Sequence, residues 1–412
     1  MKARGLPGKA LSSRFLRYSL LSEFTSGDVA SAADPRNGYR MSKPLKFTNV
    51  QRSTFFATVR QRADAYFQEN NLSRHANGAM WAKTAFFLGA FVLLYGLIMS
   101  NQFGVAAMAG LAAALGAVCA FIGFNVCHDA MHGSFSASKR VNKGLGLIFN
   151  LIGASPYVWN ITHNVVHHTY TNIAGHDEDI EVAPGLIRLD EQEPVRWIQR
   201  FQHWYAFPVY GLASLSWVLR KDYVKFFQPK IGQQVANHPR REYFNLFFYK
   251  AIYYVLFIVL PLVVLDITWW QFIIGFVGMH FVEGLVLGLV FQLAHVVEGT
   301  AFPLPNEQGD MQEAWAVHQM RTTANFAPDS ALASFLCGGL NRQIEHHLFP
   351  KVCHIHYPAL SQILRTTAQE FDVPYIENQT FLGALQSHRR MLKRLGAEAY
   401  EQAQQPRERI AA

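Results

Sequence analysis

The chain has 412 residues, 50% of them hydrophobic and only 16% charged, against roughly 25% charged in an ordinary soluble domain, a deficit that points to contact with lipid. Its formal charge of +8 does not read as a nucleic-acid footprint, because Lys and Arg cluster in segments flanking apolar runs, as they do where a protein is anchored at an anionic membrane face. Cys119, Cys127, Cys337 and Cys353 are scattered and form no CxxC pair, which excludes a disulfide framework and a thiolate zinc site.

In chain order, residues 1–45 form a polar leader rich in Ser, Arg and Gly, without the pattern of a signal peptide; Met41, opening MSKPLKF, is a second candidate start. An amphipathic helix is expected over Thr54–Glu69. The apolar run Met80–Met99 is long enough to span, since about 20 apolar residues cross the hydrocarbon core. Phe103–Val126 follows closely as the second arm of a hairpin, and His128 falls where that hairpin re-emerges. Residues 143–158 and His203–Leu219 are short or interrupted and read as interfacial or buried segments. A polar stretch carrying His176, Asp177, Glu178, Asp179 and Glu181 lies between them. A second hairpin then starts at Ala251, with Lys250 placed to snorkel, and continues through the DITWW connector into Gln271–Ala294.

These runs predict an all-α integral membrane protein with four transmembrane helices in two hairpins, at about 80–99, 103–126, 251–270 and 271–294. They lie in a membrane domain of residues 46–370, followed by a polar cytosolic tail, 371–412. Neither hairpin tip, Ser100–Gln102 or Asp266–Trp270, contains Lys or Arg. By the positive-inside rule both tips then face outward, and the termini and the loops between the hairpins face the cytoplasm.

Three histidine clusters stand on that cytoplasmic side: His128 and His132; His163, His167 and His168; His346 and His347. His295 follows the last span on the same side. Neutral imidazole is a good ligand for iron, copper, zinc and nickel, and helical histidines four apart share a face, so His128/His132 and His163/His167 can each converge on one point. Adjacent histidines diverge by about 100° around a helix, which places His167/His168 and His346/His347 to serve two metals.

The segments HDAMHGS, HNVVHHTYTN with GHDEDIE, FQLAH and RQIEHHLFP resemble the membrane fatty acid desaturases, over about Trp81 to Leu364. The resemblance implies four spans under a helical cytosolic cap and a nonhaem diiron centre, with O2 as co-substrate. It implies as ligands His128, His132, His163, His167, His168, His295, His346 and His347, and it leaves open whether Gln343 also ligates. Gln343 stands where many members have histidine, a spelling typical of the front-end subgroup, which desaturates between an existing double bond and the carboxyl end. The HPGG motif of the cytochrome b5 type domain fused to many such members is not found, so a separate electron donor, a ferredoxin or a flavin reductase, is expected at the basic cytosolic surface. A bacterial cell membrane is the expected location.

Beside the resemblance, breaking an unactivated C–H bond needs redox chemistry that zinc lacks, and the hydrolytic HExxH motif is absent. Asp129, Asp177, Asp179 and Glu345 are candidates to accept the second N–H of ligating histidines, or are simply solvated. His176, His318, His354 and His356 read as structural. His280 and Glu283, three apart inside the fourth span, could pair, line the acyl tunnel or make an interhelical hydrogen bond. The reading is a fatty acyl desaturase acting on acyl-CoA, acyl-lipid or acyl-carrier protein. The alternatives are a hydroxylase on the same diiron scaffold and, more remotely, a metal-binding membrane transporter, whose histidines should line the spans instead.

Overall fold

The computed structural model describes residues 45–180, 182–231, 234–235 and 237–404. All but the last residue of the expected leader lies outside the described residues. Among the described residues the chain is mainly helical, and four of its helices are long and apolar enough to cross a membrane: Gly78–Met99, Val105–His132, Arg240–Val264 and Trp269–His295. The remaining helices gather around the ends where the histidine boxes lie.

Local chemistry sets these boundaries. The Asn77 side chain accepts the Met80 N–H at 3.0 Å and caps the first span. Thr268 and Gln271 form a reciprocal box at the start of the fourth, where Gln271 accepts the Thr268 N–H at 2.8 Å. The two hairpin tips meet, Asn101 donating to Asp266 at 2.6 Å and accepting its backbone N–H at 3.1 Å. The second and fourth spans approach closely at Gly116, where a Cβ would lie 2.0 Å from the Met279 carbonyl oxygen.

Two spans differ from the expected limits. The second does not end before His128 but continues to His132 through a widened turn, Gly123–Cys127. The third begins at Arg240 rather than Ala251, because its first turns, RREYFNLFFYK, are too polar to register as apolar. A widened turn at Val255–Val259 precedes Pro261, whose missing N–H and bulky ring a regular helix could not absorb.

Lys250 does not snorkel to the surface. It is buried, with Nζ 2.8 Å from the Asp222 carboxylate, and it also donates to the carbonyls of Gly153 (2.8 Å) and Trp217 (3.0 Å). Asp222 belongs to the segment made of helices Gln202–Tyr210, Ala213–Ser216 and Asp222–Phe227, which packs along the fourth span; a Cβ on Gly284 would meet the Gly211 carbonyl at 2.5 Å. This segment contains the expected buried or interfacial stretch, and its Trp204, Leu212 and Leu219 are exposed. The C-terminal stretch is docked rather than trailing: helix Phe381–Lys393 buries Ala384, His388, Met391 and Leu392, and His388 binds the Val296 carbonyl at 2.6 Å.

Removing one partner of a buried ion pair costs about 3–5 kcal/mol, because the other charge is left uncompensated. Lys250→Met should therefore sharply lower the melting temperature in detergent. Adding Asp222→Asn, which removes the stranded charge, should recover a large part of the loss.

Candidate metal centre

Each cluster is carried by a different element. His128 and His132 are the last turn of the second span, which the left-handed Gly133 (φ 73°) closes. His163 and His167 lie on the widened helix Asn160–His167, entered through Pro156 and a Ser155 cap, and His168 follows it. His295 ends the fourth span, and His346 and His347 lie on the short helix Gln343–Leu348.

The fold brings all eight imidazoles into one buried volume as two groups. His128, His132, His163 and His346 each place one ring nitrogen within 4.8 Å of the others, and His167, His295 and His347 do the same. His168 stands between them, its Nε2 2.9 Å from Nε2 of His346 and its ring stacked at 4.4 Å on His347. The Gln343 amide nitrogen lies 3.2 Å from His295 Nε2 and 3.4 Å from His347 Nε2, so this side chain belongs to the three-histidine group. Buried ring nitrogens without a hydrogen-bond partner include His128 Nδ1, His132 Nε2, His163 Nε2 and His167 Nε2. Burying such lone pairs unmatched is costly, whereas a cation takes them up, so the donor set fits metal ions and is consistent with iron.

The fatty acid desaturase family model matches residues 104–379. The chain belongs to the fatty acid desaturase family. It is 35% identical to the acyl-lipid (8-3)-desaturase of Physcomitrium patens, over 92% of this chain and 78% of the relative. It is 36% identical to the sn-1 linoleoyl-lipid 6-desaturase of Synechocystis sp., over 85% of this chain and 98% of the relative. Identity to the Arthrospira platensis enzyme of the same name is 35%, over 83% and 92%.

In this desaturase His163 and His167 do not share a point, although they are four apart. Each is pinned by its own carboxylate, His163 Nδ1 by Asp179 at 3.2 Å and His167 Nδ1 by Asp177 at 2.9 Å, so the stacked rings serve neighbouring groups. The two aspartates of the GHDED stretch thus sit where a carboxylate fixes the ring tautomer. Asp177 also accepts the Asn172 N–H at 2.9 Å, and Asp179 accepts Lys221 Nζ at 3.0 Å. Burial pulls the His167 imidazole down, but Asp177 more than reverses it and leaves the group above its ordinary range. For His168, His346 and His347, burial and the surrounding imidazoles press the pKa well below the ordinary value, so these rings are neutral and able to ligate. Asp179 also titrates below its usual range, because Lys221 and His163 outweigh its burial.

Asp129 and Glu345 do not reach box histidines. Asp129 Oδ2 accepts from His354 Nδ1 (2.9 Å) and the Cys353 thiol (3.1 Å), and Lys83 Nζ lies 3.2 Å from His354 Nε2. The neighbouring ammonium makes this trio a latch between the first span and the turn after the third box, rather than a third cation site. Glu345 accepts from Tyr375 OH (2.5 Å) and Asn325 (3.0 Å), since its position on the helix turns it away from the centre. The partners of the third box are instead Tyr357, whose hydroxyl is 3.2 Å from His346 Nδ1, and Gln319, whose Oε1 is 2.7 Å from His347 Nδ1. Neither could be found from spacing, because both come from other segments. His318 binds the Thr171 carbonyl through Nε2 at 2.8 Å and is structural; His176 binds the Ala174 carbonyl, and His356 the His75 carbonyl. His280 and Glu283 face each other at 3.3 Å, away from the imidazole groups.

Two donor groups imply about two metal ions per chain, and iron rather than zinc is expected under iron-replete conditions. Asp177→Asn keeps the shape but loses the carboxylate, and should lower metal affinity or turnover by about 10–100-fold, as such outer partners typically do. Metal analysis of the purified variant beside His167→Ala checks this; stoichiometric zinc would overturn the expectation of iron, and unchanged metal in both variants would remove these residues from the site.

Proposed function

We propose that this desaturase inserts a cis double bond into the acyl chain of a membrane lipid, on the carboxyl side of an existing double bond, using O2 and two electrons from an external donor such as a ferredoxin or flavin reductase. The observation that carries the reading is the pair of imidazole groups side by side at one end of four apolar spans. One hydrogen leaves each of two adjacent methylenes, and with two further electrons and two protons they reduce one O2 to two waters. Two irons held by His128, His132, His163, His167, His168, His295, His346 and His347 would supply the oxidising power that zinc lacks. Gln343 is a further candidate for the second position.

The protein's own part is to hold the donors rigid and keep water away. Trp159 stacks on His163 at 4.3 Å and lies 5.7 Å from His128 and His132, while Phe291 is 5.0 Å from His167 and 4.9 Å from His295. These rings present an apolar face on which methylenes can rest. The Gln343 spelling and the linoleoyl-lipid and acyl-lipid desaturase names of the relatives support the lipid-borne substrate and the front-end position. A hydroxylase is less well supported, since the relatives are desaturases. A transporter would set its histidines along the spans, whereas here they gather at one end.

Cells expressing the chain and fed linoleate should gain a product with a new double bond between the carboxyl group and the existing bonds, seen by gas chromatography and mass spectrometry of total lipid. A new bond only on the methyl side, or a hydroxylated product, would overturn this assignment.

For orientation we propose outward hairpin tips with the termini and imidazole groups cytoplasmic, supported by tips that lack Lys and Arg and hydrogen-bond to each other. The four native cysteines are buried, so added ones report cleanly. In intact cells an impermeant thiol reagent should label Gln102→Cys and spare Gln386→Cys; the reverse pattern would invert the topology.

A further inference from the structure

Helix Phe55–Glu69 buries Phe55, Val59, Ala63 and Phe67 against the helices Trp315–Thr322 and Tyr357–Glu370. Its opposite face is open, with Arg60, Gln61 and Gln68 exposed along a shallow groove. At the start of that face Phe56 meets Trp315 edge-on at 5.6 Å and Phe349 at 6.3 Å, and all three rings are half-buried. Trp315 continues inward: its Nε1–H donates to the His168 carbonyl at 3.1 Å. His168 is the ring that stands between the two donor groups, 2.9 Å from His346 and stacked on His347. A half-buried indole at the surface is thus one hydrogen bond from the backbone of the residue that touches both groups. Water could satisfy the carbonyl at this helix end equally well. An indole adds a π-system, and electrons tunnel more readily through bonded, conjugated matter than across solvent.

The free charges around this patch have one sign. Arg52, in the turn whose Val50 N–H binds the Gln312 carbonyl at 3.0 Å, Arg60, one turn along the helix from Phe56, and Lys351, two residues past Phe349, are all exposed. None has an acidic partner among the described residues. The carboxylates nearby are already taken, Asp64 by Arg74 at 2.6 Å, Glu313 by Arg321 at 3.1 Å and Glu370 by Arg62 at 2.7 Å. Unneutralised cations steer an acidic protein toward the surface that bears them, and Arg and aromatic side chains are enriched where proteins meet. Redox encounters are small and transient, so a patch of this size suffices.

We propose that this patch is where an acidic one-electron carrier of the ferredoxin type docks, and that Trp315 is where its electron enters the metal centre. This locates the donor surface of the desaturase reading above and rests on that reading. At each docking the carrier's iron–sulfur cluster loses one electron and the centre gains it, so two successive dockings supply the two electrons of a turnover. Arg52 and Arg60 hold the carrier and Trp315 passes the electron on, so the two roles separate under mutation.

The probe is a reduced plant-type ferredoxin, mixed with the purified full-length protein in detergent. Binding is read by surface plasmon resonance at low and high salt, and electron transfer by stopped-flow absorbance of the ferredoxin. Arg52→Glu with Arg60→Glu should weaken binding by about tenfold or more, because like charges are then set against an acidic partner, and should flatten its salt dependence. Arg140→Glu, the reversal of another exposed cation, close to the first histidine box, should leave binding unchanged. Trp315→Phe, which keeps a ring but loses the N–H, should leave ferredoxin binding and metal content unchanged and slow ferredoxin oxidation several-fold. Reduction by dithionite, a small anion that needs no docking, should keep its wild-type rate in that variant. Unchanged affinity in the double reversal, or an equal loss in Arg140→Glu, would place docking elsewhere. Equal slowing with ferredoxin and with dithionite in Trp315→Phe would make the indole purely structural. Either result overturns the proposal, as does a wild-type protein that desaturates lipid but binds no ferredoxin; no desaturated product from the wild type would instead overturn the functional reading on which it rests.

Discussion

Eight imidazoles can share one water-poor volume only if nearly all are uncharged and each keeps its proton on the side away from the centre. Burial supplies the first condition, since a charged ring among other rings has neither water nor counter-charge. The second needs an outer acceptor, and four of the rings have one. Asp177, Asp179, Gln319 and the Thr322 carbonyl take the outer nitrogens of His167, His163, His347 and His295. Three helices must therefore be held in register with one loop and with the helix Trp315–Thr322, and small shifts in any of them would leave a buried nitrogen unmatched.

The acidic members of that outer ring bring a cost of their own. Asp179 is buried beside His163, and Lys221 reaches it from the segment that packs along the fourth span. Glu178 is likewise met by Lys225. Between these two lysines, the same segment offers Asp222 to Lys250 of the third span. Cations and anions alternate along residues 221–225 so that one short stretch ties the acidic loop under the imidazoles to the membrane helices. The position of the centre relative to the membrane helices is in this way held by ion pairs as well as by apolar packing.

Sequence carries the spans and the boxes well, because both are local: an apolar run shows its own length, and HDAMH shows its own spacing. It carries poorly whatever depends on pairing across the chain. Lys250 looked like an interfacial lysine because its partner lies twenty-eight residues upstream. Asp129 and Glu345 looked like acceptors for the histidines beside them, yet a neighbour in sequence on a helix points elsewhere, and both went to other partners. Asp177 and Asp179 could be anticipated as candidates because the loop that bears them is short enough to fold back onto its own box. Gln319 and Tyr357 carry no motif at all. The split of His163 from His167 was also hidden, since four-residue spacing speaks for convergence only on a regular helix, and Asn160–His167 is widened.

The two donor groups are not equivalent, and a single residue makes them differ. One gathers four imidazoles, the other three and the Gln343 amide. Gln343 lies four residues before His347 on the same helix, hence on the same face, and its amide lies within 3.4 Å of both His295 and His347. An imidazole in that place would make the second group resemble the first. An amide is neutral at every working pH, offers an oxygen or an N–H according to which way it is turned, and is a weaker donor to iron than imidazole. The amide therefore places a polar group beside His295 and His347 without the donor strength of a fourth imidazole, and these two rings, which it touches, are the ones situated to feel the difference.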